Sequence, residues 1–168
     1  MTETFKQIAA SQYIAAIETL NQSVQNADDE IWTTDHLDTA IDQVVFHTLF
    51  FTDLYLHHGT EGFDKQSFHL RNRESFRDYE EQQDRPQQYH YEKSFCREYL
   101  DFCKKKVDTV LNSETESSLL GESGFYWRKC NRAELHIYNI RHIQHHAAQL
   151  GLRNQLLGGD PLSWVSGE

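Results

Sequence analysis

"RHIQHHAAQL", residues 141–150, sets His142, His145 and His146 inside a segment whose other positions keep a helical rhythm. Residues four apart on an α-helix differ by about 40° around the axis, so His142 and His146 project from one face a turn apart. His145 is turned about 60° to the other side, toward solvent. Leu135, Ile143, Ala147 and Leu150 form an apolar stripe with His146 and place the His142/His146 pair at its inward edge. Imidazole carries two polar ring nitrogens that a helix backbone cannot satisfy, so a pair placed there requires water or a shared partner.

Outward from this stretch, the same periodicity predicts a helix from Asn131 to Leu157 that stops at Gly158 and Gly159. A first helix is expected over 2–26, with Ile8, Tyr13, Ile17, Leu20 and Val24 on its buried face and "NADDE" closing it. A second begins at Thr34 or Asp35, carries Ala40, Val44, His47, Phe51, Leu54 and His58 on one stripe, and ends near Gly59. A third runs from Tyr91 to Leu111, burying Phe95, Tyr99, Phe102 and Val110, with Lys104 to Lys106 near its end where cations suit the helix dipole. Both prolines, Pro86 and Pro161, fall outside these patterns. Four long helices without a strand pattern predict an all-α fold, a four-helix bundle in a single domain spanning 1–168. Residues 60–90 are polar and poorly periodic, apart from a short helical pattern at "RESFRDYEE", and make a long connection between the second and third helices.

Composition excludes several classes. A net charge of -10 and a pI near 5.4 oppose binding to a phosphate backbone, so no nucleic-acid partner is expected. No apolar run approaches the roughly 20 residues of a membrane span, and "MTETFKQIAASQ" lacks the apolar core of a secretion signal, so the expectation is a cytoplasmic protein with no membrane partner. Cys96, Cys103 and Cys130 form no CxxC pair and read as packed thiols of a reducing compartment. Phosphate-binding loops, dinucleotide fingerprints, nucleophile elbows, HExxH and EF-hand loops are all missing, and "GESG" at Gly121 to Gly124 is a turn signal.

The second helix supplies a third imidazole, His47, in the middle of its apolar stripe, where a histidine needs a partner. Three neutral imidazoles from two facing helices are the ligand set of an open transition-metal site, and His47, His142 and His146 are the candidates. The same residues admit a plainer reading. Ten histidines make an i, i+4 pair easy to obtain, and His47 could simply hydrogen-bond across to His142 or His146. Spacing alone leaves both open.

"NIRHIQHHAAQL" (139–150) together with "VVFHTLFF" (44–51) resembles the DinB-like superfamily of four-helix bundles, in which one histidine of the second helix and an HxxxH pair of the fourth bind a divalent metal. The resemblance extends over most of the chain and implies that His47, His142 and His146 are the metal ligands, with zinc or nickel first among the ions and iron or copper also accepted by imidazoles. The ending "HHAAQL" also resembles the family's, which implies a supporting or substrate-facing role for Gln149; a surface glutamine is the alternative. Sulfoxide-synthase relatives end in HxxxHxE, whereas Ala148 stands here, so their acidic ligand is missing.

What the resemblance implies about function is a metal-dependent transferase that uses a low-molecular-weight thiol and a small electrophilic substrate. A hydrolase would want a nearby carboxylate base, and Glu134 lies eight residues before His142. The reading from another class is a non-enzymatic, stress-associated metal-binding bundle, and a homodimer is expected in either case. Tyr55, Tyr126, Trp127 and Tyr138 could line a cavity over the ion, His136 points about 120° away from His142, and His57, His58, His69 and His90 read as solvated.

Overall fold

Residues Thr2–Asn26 form α1, and its buried line is Ala9, Tyr13, Ala16, Ile17, Leu20 and Val24. These positions recur at three to four residues and make one apolar face. Ile8, expected on that face, is exposed because Ala9 takes the inward position. This is a computed structural model of the chain, and it describes residues 1–34, 39–63, 68 and 90–167. The "RESFRDYEE" pattern, His69, Pro86 and the proposed start at Asp35 lie outside the described residues.

The fold is all-α. After α1 come a single turn α2 (Asp29–Trp32), α3 (Ile41–Leu56), α4 (Lys93–Ser113), a short α5 (Glu116–Leu120) and α6 (Arg132–Leu156). Among the described residues there is no strand beyond one isolated bridge between Glu122 and Asn131. No described helix is long and apolar enough to cross a membrane. The long helix expected from Thr34 starts instead at Ile41, because Thr34 closes the separate α2 turn through hydrogen bonds to the Ile31 and Glu30 carbonyls.

Helices α1 and α3 each pack against both α4 and α6, and the apolar core lies between them. The face of α4 that reaches the centre is Cys96, Tyr99, Leu100, Cys103, Val107 and Leu111. Phe95, Phe102 and Val110, expected there, are only partly buried beside it. Cys96 and Cys103 are free and buried, and desolvation pushes both thiols well above their usual pKa. Two of the three consecutive lysines reach across to neighbouring helices instead of serving the helix dipole: Lys104 pairs with Glu18 of α1 at 2.5 Å, and Lys106 pairs with the buried Asp53 of α3.

The register between α3 and α6 follows from four side chains of α6. Arg132, fully buried in its first turn, donates to the carbonyls of Tyr55 (2.8 Å), Leu56 (2.9 Å) and His57 (2.6 Å). These are acceptors that the end of a helix leaves without intrahelical partners, so the guanidinium serves as the C-terminal cap of α3. Gly59, read from the sequence as the helix end, lies in the bend beyond, at φ 132°. Further along α6, Asn139 donates to the Thr52 carbonyl (3.0 Å), His142 meets His47 (3.3 Å), and Arg153 donates to the Thr39 carbonyl (2.5 Å). Partners move back along α3 as α6 advances, so the two helices run antiparallel.

Glu114 balances the Arg132 charge at 2.8 Å, accepts from Ser118, and lies 3.2 Å from His136 Nε2, whose Nδ1 meets the Tyr13 hydroxyl at 3.1 Å. His136 therefore belongs to a buried structural network. Ionic hydrogen bonds to Ser118, Arg132 and His136 outweigh burial and hold the Glu114 carboxyl down to about 2. Removing one member of such a pair leaves an uncompensated buried charge. Arg132→Met is expected to cost about 3–5 kcal/mol in urea unfolding, against less than about 1 kcal/mol for Lys104→Ala at the half-exposed pair with Glu18.

Candidate metal centre

Every residue of α3 is buried except His47 and Phe51, which are half-buried. The sequence places His47 within the deepest stripe of its helix. The structure keeps most of that stripe in the core, with Ala40, Val44 and Leu54 buried, and within α3 opens it only at His47 and Phe51. His142 and His146 on α6 are half-buried opposite it, and His145 is exposed.

The antiparallel register brings His47, His142 and His146 together, with one ligand nitrogen of each within 4.8 Å of the others. Ring centroids are 5.3 Å apart for His47 and His142, 5.0 Å for His47 and His146, and 4.7 Å for the α6 pair. Among the described residues no carboxylate or thiol joins this group. Phe51 closes one side, its ring 4.8 Å from His47 and 5.8 Å from His142.

Proton accounting tests whether these rings suit an ion. An amide oxygen only accepts, so the 3.0 Å contact to Gln149 Oε1 puts the His146 proton on Nδ1 and leaves Nε2 as a bare donor of electrons. His47 and His142 face each other through Nε2 at 3.3 Å, where only one proton fits between two nitrogens. The Nδ1 atoms of both are buried without a hydrogen-bond partner. A neutral His47/His142 pair thus leaves one Nδ1 lone pair and one Nδ1–H unsatisfied. As a device for stability alone this arrangement is poor. A cation between the three Nε2 atoms would take up every inward lone pair, and an all-imidazole set suits zinc, nickel, copper or iron.

Burial disfavours the charged imidazolium, and each ring further disfavours protonation of the next. His47 falls from its ordinary value to about 3 and His142 to about 2, and His146 is lowered as well, first by desolvation and then by His145, against the opposing bond to Gln149. The three rings are therefore neutral, in the form that ligates, at neutral pH.

No protein-family model, characterised protein or solved structure matches this chain.

The remaining residues singled out from the sequence divide. Tyr55 and Tyr138 lie 5.6 Å apart beside Phe51, whereas Tyr126 and Trp127 are exposed. His58 is exposed beyond the end of α3, but His57 packs edge-on against Phe63, and His90 pairs with the buried Asp42 at 3.1 Å, so neither is a freely solvated side chain. Arg128, which spacing did not single out, stacks over Tyr138 with its guanidinium carbon 4.0 Å from the ring centre. Its only sequence signal is a lone arginine within "FYWRKC", just before α6.

Depressed imidazole values make stability depend on pH with a definite sign. The unfolded chain takes up protons near 6.5 that the native rings refuse, so stability is complete above about 6.5 and is lost as pH falls toward the native values. The double variant His47→Leu/His142→Leu removes both orphaned nitrogens and two of these rings. Metal-free, it is expected to equal or exceed the wild type in urea unfolding at pH 7, and to lose stability less steeply between pH 6.5 and pH 4. A loss of about 2 kcal/mol or more at pH 7 would show instead that the histidine contact supports the fold.

Proposed function

We propose that the protein is a divalent-metal-binding helical bundle of the DinB-like type, with His47, His142 and His146 as the ligands, and that it acts as a metal-dependent transferase on a low-molecular-weight thiol. The observation that carries this reading is the convergence of three neutral, half-buried imidazoles from two helices with no fourth protein ligand among the described residues. Structural metal sites are usually closed by four protein ligands, whereas three leave a position for an exogenous group. The packing of α1, α3, α4 and α6 supports the four-helix arrangement that the resemblance implies.

When bound, a divalent ion in such a set supplies a Lewis acid that favours the thiolate over the thiol at neutral pH. The residues of the chain provide the rest. Gln149 fixes the His146 tautomer, so that Nε2 faces the centre without a change of protonation. Phe51 keeps water from one flank and gives an apolar surface for the carbon skeleton of a substrate. The transferase is favoured over the hydrolase because the cluster holds no carboxylate to act as general base, and Glu134 is exposed in the first turn of α6.

Elemental analysis of protein prepared without a histidine tag should find about one zinc or nickel ion per chain, and His142→Ala should lose it. At an ion concentration 100 times Kd, the wild type should gain about 2.7 kcal/mol of stability, a gain absent from His142→Ala. Thiol conjugation to an electrophilic dye should accompany the metal and vanish in the same variant. A metal-loaded protein without any thiol turnover would favour the non-enzymatic metal-binding reading. No ion in either protein after reconstitution would contradict both.

A further inference from the structure

Arg128 is a half-buried cation with no acidic partner among the described residues, in a chain that carries 26 acidic residues against 16 lysines and arginines. It is nonetheless held in place. Its Nε donates to the Tyr55 hydroxyl at 3.3 Å, its Nη2 donates to the Tyr138 hydroxyl, and the guanidinium carbon lies 4.0 Å from the Tyr138 ring centre. The segment that carries it is braced as well. Ser123 donates its backbone N–H to the Cys130 carbonyl (3.0 Å) and its hydroxyl to the Arg128 carbonyl (2.6 Å), and the Arg132 N–H donates to the Gly121 carbonyl (2.9 Å). Gly124 sits at φ 88° with the His58 carbonyl only 2.7 Å from where a Cβ would lie, so this turn is pressed against the end of α3.

The two tyrosines occupy the Nε/Nη2 edge of the guanidinium. The opposite edge, through Nη1 and the second Nη2 proton, has no protein partner among the described residues, and the side chain stays half-exposed. A preorganised fork with a free edge fits a planar carboxylate through two parallel hydrogen bonds. The Arg128 side chain is also close to the histidines. Tyr138 precedes His142 by one helical turn, roughly 5–6 Å along α6, and rings run in contact from His142 through Phe51 and Tyr55 to the guanidinium.

We infer that Arg128, positioned by Tyr55 and Tyr138, is a carboxylate-recognition residue for the ligand of the three-histidine centre, which therefore takes an anionic substrate whose carboxylate stands about 6–10 Å from the atom bound at that centre. This rests on the metal-binding reading proposed above and adds the substrate's charge, shape and span. Lysine cannot replace the fork, because an ammonium offers a point charge without the two parallel donors.

The test uses cobalt(II)-loaded protein, whose visible absorption reports the ion and changes when a thiol sulfur joins it. Mercaptohexanoate and mercaptohexanol are titrated in parallel, since they differ in the terminal carboxylate and share the same reach. Wild type is expected to bind the carboxylate thiol on the order of 10- to 100-fold more tightly. The preference should fall to about unity in Arg128→Met, fall in part in Arg128→Lys and Tyr138→Phe, and decline at 1 M salt less than a purely long-range attraction would. Mercaptoacetate, too short to reach, should show little preference over mercaptoethanol. An equal affinity for the two long thiols in wild type, or a preference that survives in both Arg128 variants, overturns the assignment while the cobalt spectrum leaves the metal reading standing. Failure to take up cobalt removes the metal reading and the Arg128 assignment with it.

Discussion

The buried guanidinium of Arg132 is the constraint on which the rest of the molecule depends. It closes the C-terminal end of α3 with three carbonyl contacts while Glu114, at the junction of α4 and α5, neutralises it. One side chain at the start of α6 thereby joins three helices at a single depth. Two helices packed only through apolar side chains can slide by a residue or a turn at small cost, but a charged fork tied to named carbonyls has one register. That register sets Asn139 against Thr52 and, one turn further, His142 and His146 against His47. The electrostatics at one end of the pair thus fix the chemistry at its middle.

Much of this was legible in the sequence, and for identifiable reasons. The long helices α1 and α6 announce themselves through their period, and at the start of α6 Asn131 accepts from the Glu134 N–H as an N-cap should. The three histidines that converge are the three the spacing selects. The half-exposure of His47 and Phe51 was not legible, because helix α3 is buried on nearly all sides and the two positions that open can be found only by knowing which helices surround it. The role of Arg132 was invisible for a similar reason: a lone arginine after a helix cap reads as surface until its acceptors, some 75 residues earlier in the chain, are brought to it. The lysine run reads as serving the helix dipole because that effect is local, whereas Glu18 and Asp53, which pair with two of the lysines, lie on other helices.

Around the histidines, local stability and chemistry pull in opposite directions. A fold seeking only stability would place leucine at position 47, and it would not bury two imidazole nitrogens without partners. Unsatisfied polar atoms of this kind persist where the surrounding structure outweighs them, here the apolar core and the Arg132–Glu114–His136 network. The same logic applies to Arg128, a cation held by two phenols beside the cluster and without a counter-charge among the described residues. The inward Nε2 atoms of the three histidines and the guanidinium of Arg128 are groups of a type that a bound ion or small molecule would complete.

The central claim is that His47, His142 and His146 bind one divalent ion and leave room on it for a thiol. X-ray absorption at the metal edge of zinc-loaded protein, recorded with and without mercaptohexanoate, addresses it directly. The account predicts three imidazole nitrogens near 2.0 Å with a light-atom ligand in the free protein, and one sulfur near 2.3 Å in place of that light atom once the thiol is added. A shell of four protein ligands that the thiol leaves unchanged, or fewer than three imidazoles in the free protein, would contradict it.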